Sequence, residues 1–231
     1  MLKIKICGIK TIEIAETAVG AGANALGFVF YEESPRFISP GKAAEIIKVL
    51  PPFVSKVGVF VDKTLKEIVK IIEKTGLDTI QLHGEASLYN KAFLSKLRKY
   101  TGLPVIYAVR LSLLENRAID SLKEEFDEKL FNAYLLDTFH TDEYGGTGKL
   151  MEIRTLDDEL KDFIRKKIIL AGGLNAWNIK VVLEKIMPYG IDVSSGVERV
   201  KGEKDKILIR EFMNSALETL RKHSLPDRVE G

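Results

Sequence analysis

Short β-branched runs alternate with longer helical patterns from one end of the chain to the other, and very few folds accept that alternation. The apparent strands cover residues 3–7, 25–30, 56–60, 79–82, 105–109, 133–136, 167–170 and 191–194. Between them, apolar residues recur three and four apart, as in Leu65, Ile68, Val69 and Ile72 or Ile179, Val182, Leu183 and Ile186. That is the spacing of amphipathic helices. Eight strand and helix pairs, with no Pro-, Gly- or Ser-rich linker between halves, favour a single closed (β/α)8 barrel of α/β class over an open doubly wound sheet. The first strand runs into Cys7-Gly8-Ile9-Lys10 and so lacks the G-x-G-x-x-G turn of a dinucleotide-binding sheet. The barrel is expected to span residues 1–223. Residues 224–231 read as a polar, disordered tail, residues 138–156 as a mobile loop, and the helix before the seventh strand as short.

Composition narrows the chemistry. Of 231 residues, 45% are hydrophobic, enough for a large core, and 35 Lys and Arg against 33 Asp and Glu leave a net charge of +2. So even a balance gives no strong field for nucleic acid or an acidic membrane, and a small-molecule ligand is expected instead. One cysteine excludes an internal disulfide and a cysteine-based zinc site, and His83, His140 and His223 show no metal-ligand spacing. No metal is expected. The amino-terminal stretch alternates charged and apolar residues, and no run is long enough to span a bilayer, which reads as a cytoplasmic protein.

In a barrel of this kind the working face is formed by the residues that follow each strand. Cys7 ends the first strand, where a free cysteine can be a reactive thiol or only a small packed hydrophobe. Asp137 ends the sixth and leads towards Tyr144-Gly145-Gly146-Thr147-Gly148, a flexible loop rather than a helix start that needs a cap. After the seventh strand come Gly172 and Gly173, and after the eighth Ser194, Ser195 and Gly196. Two bare loops at these two positions suit phosphate, which can approach the backbone and take N–H donors at a following helix start. Arg36, in the loop after the second strand, offers a planar fork to a carboxylate. His83 can bind a ligand or hydrogen-bond a loop.

Taken in order, Lys5-Ile6-Cys7-Gly8-Ile9, Gly27-Phe28-Val29-Phe30 with Ser34-Pro35-Arg36, Gln81-Leu82-His83-Gly84, Leu136-Asp137-Thr138, Gly145-Gly146-Thr147-Gly148 and Asp192-Val193-Ser194-Ser195-Gly196-Val197-Glu198 resemble the phosphoribosylanthranilate isomerases of tryptophan biosynthesis. The match runs over nearly the whole chain and diverges chiefly at 112–131 and in the tail. The resemblance implies a (β/α)8 barrel that converts N-(5-phosphoribosyl)anthranilate into 1-(2-carboxyphenylamino)-1-deoxyribulose 5-phosphate without a cofactor, as a monomer or homodimer. By position it implies Cys7 as general base, Asp137 as general acid, Arg36 as the contact for the anthranilate carboxylate, and Gly172, Gly173, Ser194, Ser195 and Gly196 as phosphate ligands; His83, beside them, is expected to contact the substrate. A related isomerase of the histidine pathway would carry Asp where Cys7 stands.

Such chemistry needs a protonated carboxyl and a thiolate together, the reverse of what ordinary values of about 3.9 and about 8.5 supply at neutrality. That state costs roughly 6 kcal/mol in water. Nearby positive charge is expected to draw the thiol down.

Overall fold

The computed structural model describes residues 2–84, 89–110, 130–137 and 158–224. Eight parallel strands close into a barrel in chain order: β1 (Lys3–Cys7), β2 (Ala25–Val29), β3 (Ser55–Val61), β4 (Thr79–His83), β5 (Val105–Arg110), β6 (Ala133–Asp137), β7 (Ile168–Ala171) and β8 (Gly190–Val193). β1 pairs with both β2 and β8, and its register against β8 sets Lys5 beside Asp192 at the seam. Helices α1 (Ile12–Gly20), α2 (Pro40–Lys48), α3 (Leu65–Thr75), α4 (Lys91–Thr101), α5 (Asp158–Lys167), α6 (Ile179–Lys185) and α7 (Lys206–Ser224) surround it. Between β8 and α7 lies a small antiparallel hairpin, β9 (Glu198–Val200) and β10 (Glu203–Lys204).

Local chemistry starts these helices where they start. Thr11 and Asn90 cap α1 and α4 by accepting from the backbone N–H of Ile14 and Phe93. Ser39 does the same for α2, with Pro40 at its first position. At α3, Thr64 and Glu67 form a reciprocal capping box, which satisfies two backbone donors that the helix itself cannot.

Two packing layers follow from the period of two along each strand. Outward-facing Ile4, Ile6, Leu26, Phe28, Ile80, Leu82, Leu136, Leu170, Ile191 and Val193 join helix residues such as Ala15, Ile46, Ile68, Leu94, Val182, Phe212 and Met213 in one continuous buried cluster. The barrel interior holds separate, smaller groups. Val57, Ile106, Ala108, Ala133, Leu135, Ile169 and Ala171 fill one region, and Cys7, Val29 and Val59 another. Buried Lys5, Gln81 and Asp192 share that interior, so it is not an apolar plug throughout.

The eight expected strands are all present, with several ends displaced by one residue. α5 runs ten residues and is longer than α6, which corrects the expectation of a short helix before β7. α7 extends to Ser224, one residue into the expected tail. The expected mobile loop at 138–156, the rest of the tail and most of 112–131 lie outside the described residues.

Candidate active site

A cavity of about 1290 Å³ opens at the carboxyl ends of the strands, and Cys7, Arg36, His83, Asp137, Gly172, Gly173, Ser194 and Ser195 all line it. Residues from six separate strand ends or following loops thus meet in one space. Gly196 does not line it. A Cβ there would lie 1.8 Å from the carbonyl oxygen of Leu174. Instead it lets the loop after β8 lock against the loop after β7, where Asn175 and Gly196 form a β-bridge.

The two bare loops differ from expectation in one respect. After β7, Gly172 and Gly173 adopt left-handed φ of 89° and 61°, and the turn into α6 is closed by Asn175, whose Oδ1 accepts from the N–H of Trp177 and Asn178. After β8 no helix begins. Residues 194–198 turn instead, with Val197 N–H and Glu198 N–H donating to the carbonyls of Ser194 and Ser195, and the chain enters the β9–β10 hairpin. A phosphate there would meet turn backbone and serine hydroxyls rather than a helix amino terminus.

Cys7 sits at the end of β1 with its side chain crowded over β2. A Cβ on Gly27 would lie 2.7 Å from Cys7 Sγ and 3.1 Å from Lys5 Cε, so only the bare backbone of Gly27 leaves room for both side chains. Lys5 Nζ donates to Asp192 Oδ2 at 2.8 Å, and its positive charge lies close enough to Cys7 to act on the thiol. Burial pushes the Cys7 thiol up. Lys5 and Lys204 draw it down and Asp192 pushes it up further, and the net direction is upward. The expectation of a thiol lowered outright by positive neighbours is therefore corrected, because removing a thiolate from water outweighs those neighbours.

Burial lowers Lys5, but Asp192 and Cys7 offset this and hold it above its ordinary value. Burial raises the Asp192 carboxyl, against the pull of Lys5 and Lys204 and with some help from Asp137. A 2.8 Å ammonium–carboxylate contact sealed from water is more stable than either lone ion in the same place. The rise on Lys5 is thus the direction that governs the site, and the pair is charged.

A second cluster stands close to Cys7 and is joined to it through Ser194. Arg36 donates through Nε and Nη2 to the two carboxylate oxygens of Glu198 at 2.7 and 2.8 Å. Lys204, from β10, bonds Glu198 Oε1 and also Ser194 O and Oγ at 3.1 and 3.2 Å. Ser194 Oγ in turn donates to the carbonyl of Cys7 at 3.2 Å. Burial lowers Lys204 despite Glu198. Arg36 is thereby held against Glu198 through Nε and Nη2, and Nη1 carries no hydrogen bond among the described residues.

Three buried acceptors, Gln81 Oε1, Asp137 Oδ1 and Asp192 Oδ1, have no hydrogen-bond partner among the described residues, and all three residues line the cavity. An orphaned buried acceptor costs about 1–3 kcal/mol. Three of them around one space suit a ligand that brings its own donors, such as a polyhydroxylated sugar. Among the described residues no cluster of His, Cys, Asp or Glu is arranged to hold a metal, and no helix is long and apolar enough to cross a membrane.

The model of the N-(5'-phosphoribosyl)anthranilate (PRA) isomerase family matches residues 4–215. The chain belongs to that family. The isomerase of Pelobacter propionicus is 42% identical over 219 residues, which are 95% of this chain and 97% of that one. A phosphoribosyl anthranilate isomerase solved in complex with reduced 1-(o-carboxyphenylamino)-1-deoxyribulose 5-phosphate is 34% identical, with a TM-score of 0.74, and covers 94% of this chain and 100% of its own. Monomers generated from the dimeric isomerase of Thermotoga maritima match at 33% identity and a TM-score of 0.73, over 94% and 99% of the two chains.

Sequence reasoning gave no role to Lys5, Gln81, Asp192, Glu198 or Lys204, although most of them lie inside the motifs that carry the family resemblance. One signal was available. Lys3, Lys5 and Cys7 alternate with Ile4 and Ile6, and once the strand belongs to a closed barrel the face carrying Cys7 must carry Lys5 inside as well.

Proposed function

We propose that this protein converts N-(5-phosphoribosyl)anthranilate into 1-(2-carboxyphenylamino)-1-deoxyribulose 5-phosphate, an Amadori rearrangement in tryptophan biosynthesis, with Cys7 as general base and Asp137 as general acid. The observation that carries the reading is that Cys7 and Asp137, one thiol and one carboxyl at the ends of β1 and β6, line a single cavity within a chain of this family. The substrate's two anchors have candidate partners on the same rim. Arg36 offers Nη1 to the anthranilate carboxylate, and Gly172, Gly173, Ser194 and Ser195 offer backbone and hydroxyl donors to the phosphate.

In this mechanism Asp137 gives its proton to the furanose ring oxygen as the bond from that oxygen to C1′ breaks, and the amine lone pair forms a Schiff base. Cys7, as thiolate, removes the proton from C2′, and the resulting enolamine tautomerises to the ketone. Asp137 Oδ1 has no hydrogen-bond partner among the described residues, which suits a bond to a substrate atom. Holding both ends of the substrate contributes most of the positioning, from groups that never react. As for assembly, the reading is a monomer or a homodimer.

Anthranilate fluorescence tests this directly. Phosphoribosylanthranilate is generated in situ from anthranilate and phosphoribosyl pyrophosphate by the upstream transferase, and its consumption is followed on adding the wild type, Cys7→Ala or Asp137→Asn. Each substitution is expected to lower kcat by about 10²–10⁴-fold while product binding persists. Near-wild-type turnover in either variant removes that residue from its role, and no consumption by the wild type refutes the substrate.

A further inference from the structure

Cys7 is the only cysteine, yet the side chains around it form a more elaborate arrangement than a packed thiol requires. On the same inward face of β1, two residues earlier, stands Lys5, 4% exposed; across the barrel seam stands Asp192, 7% exposed. A fully buried lysine is rarely retained without a task, because the ammonium loses several kcal/mol of hydration. The outward-facing cluster supplies the packing between strands and helices without this pair. Lys5 bonds Asp192 and lies beside Cys7 above the bare backbone of Gly27.

We propose that Lys5 is a positioning residue for the Cys7 base: Asp192 fixes the Lys5 ammonium, and that ammonium holds the sulfur in place and stabilises its thiolate. The inference rests on the proposed role of Cys7 in the reaction, but it concerns the state of the thiol and can be tested apart from turnover. The charged groups around the sulfur are Lys5 on β1, Asp192 on β8, Lys204 on β10 with its partner Glu198 on β9, Arg36 in the loop after β2, and Asp137 at the end of β6. Lys204 and Arg36 are both committed to Glu198. Lys5 is the cation whose side chain crowds the same bare patch as the sulfur, since a Cβ on Gly27 would lie 2.7 Å from Cys7 Sγ and 3.1 Å from Lys5 Cε.

Two substitutions of opposite charge should act in opposite directions. Lys5→Met removes the cation and leaves Asp192, so the thiolate becomes harder to form. Asp192→Asn removes the competing anion and leaves the thiolate as the main partner of Lys5, so it becomes easier to form. A merely structural role for the pair would not give opposite signs, because both changes break the same contact.

The experiment is the pH dependence of alkylation by iodoacetamide, which in this chain reports Cys7 alone. Relative to wild type, Lys5→Met is expected to raise the midpoint by at least about one unit, a tenfold slower reaction at fixed pH; Asp192→Asn is expected to lower it, and Lys5→Arg to stay near wild type. The alkaline shift in Lys5→Met should recur in the pH profile of kcat. An unchanged midpoint in Lys5→Met, or shifts of the same sign in Lys5→Met and Asp192→Asn, overturns the proposal. Should Lys5→Met fail to give a cooperative melt, Lys5→Met combined with Asp192→Asn is compared with Asp192→Asn alone, and a midpoint no higher in the double variant overturns it equally. If the midpoints move as expected while Cys7→Ala turns over normally, the positioning role stands and the catalytic role of Cys7 falls.

Discussion

At the scale of single residues, Glu198 is the clearest case of a side chain whose charge does structural work. Its carboxylate is buried and receives Arg36 through two bonds, Lys204, and the backbone N–H of Gly202 at 3.1 Å. Burial raises its pKa, but those donors more than reverse this and take it from 4.5 down to about 2. A carboxylate held below its unfolded value stabilises the fold in its charged form. That contribution is complete above the unfolded value and is lost as pH falls through the folded one. The window here is from 4.5 down to about 2. Glu198→Gln is therefore expected to cost about 2 kcal/mol near neutrality once some screening by solvent is allowed for. The gap between wild type and variant should close as pH falls through that window, which urea unfolding at a series of pH values measures. A gap that stays constant down to the acid end of the window would show that the charge on Glu198 contributes nothing. Because Glu198 also orients Arg36, the variant should need more substrate to reach half-saturation.

At the scale of elements, the junction between the loops after β7 and β8 depends on a missing side chain. A Cβ on Gly196 would sit 1.8 Å from Leu174 O, 2.8 Å from its carbonyl carbon and 3.0 Å from Asn175 Cα. All three are backbone atoms and cannot turn aside, so Gly196→Ala must push the two loops apart. The expected cost is about 2–4 kcal/mol, with a fall in Tm, and KM for the phosphorylated substrate should rise more than kcat falls, since the proposed phosphate donors sit on these loops. Retention of wild-type Tm and KM would mean that the loops adjust independently. The same element scale separates what was legible in the chain from what was not. All eight barrel strands were, because a strand buried on both faces is a compact apolar run and each is followed by a helical period. Cys7, Asp137, Gly172, Gly173, Ser194 and Ser195 were legible for a related reason: a barrel puts its strand ends together whatever their distance in the chain. The β9–β10 hairpin was not. Glu198-Arg199-Val200 and Glu203-Lys204 are too short and too charged to read as strands, and their role is to bring Lys204 back to Ser194 and Glu198. The Lys5–Asp192 pair was equally invisible, since 187 residues separate its members and only closure of the sheet makes them neighbours.

At the scale of the whole molecule, the barrel divides its two tasks between its two faces. The outward cluster between strands and helices is continuous and apolar, and it carries the stability. The inward face is broken by Lys5, Gln81 and Asp192 and holds three acceptors without partners among the described residues, an arrangement that costs stability rather than adding to it. The seam between β1 and β8 lets this division be tested, because Lys5 and Asp192 face each other there in register. A buried ion pair often contributes no more than well-packed apolar groups of similar size, and replacing both members can be neutral or stabilising by about 1–4 kcal/mol, whereas removing one member leaves a buried lone charge and costs about 3–5 kcal/mol. Lys5→Met with Asp192→Leu is therefore expected to melt at or above the wild-type Tm, while Lys5→Met alone melts well below it. Turnover should be largely lost in both, because each lacks the ammonium beside Cys7. Thermal melts and the fluorescence assay on the same preparations separate the two quantities. If the double variant unfolds as readily as Lys5→Met alone, the pair is a structural closure of the barrel. If it keeps its Tm and loses activity, the seam carries a charge pair that the fold can do without and the chemistry cannot.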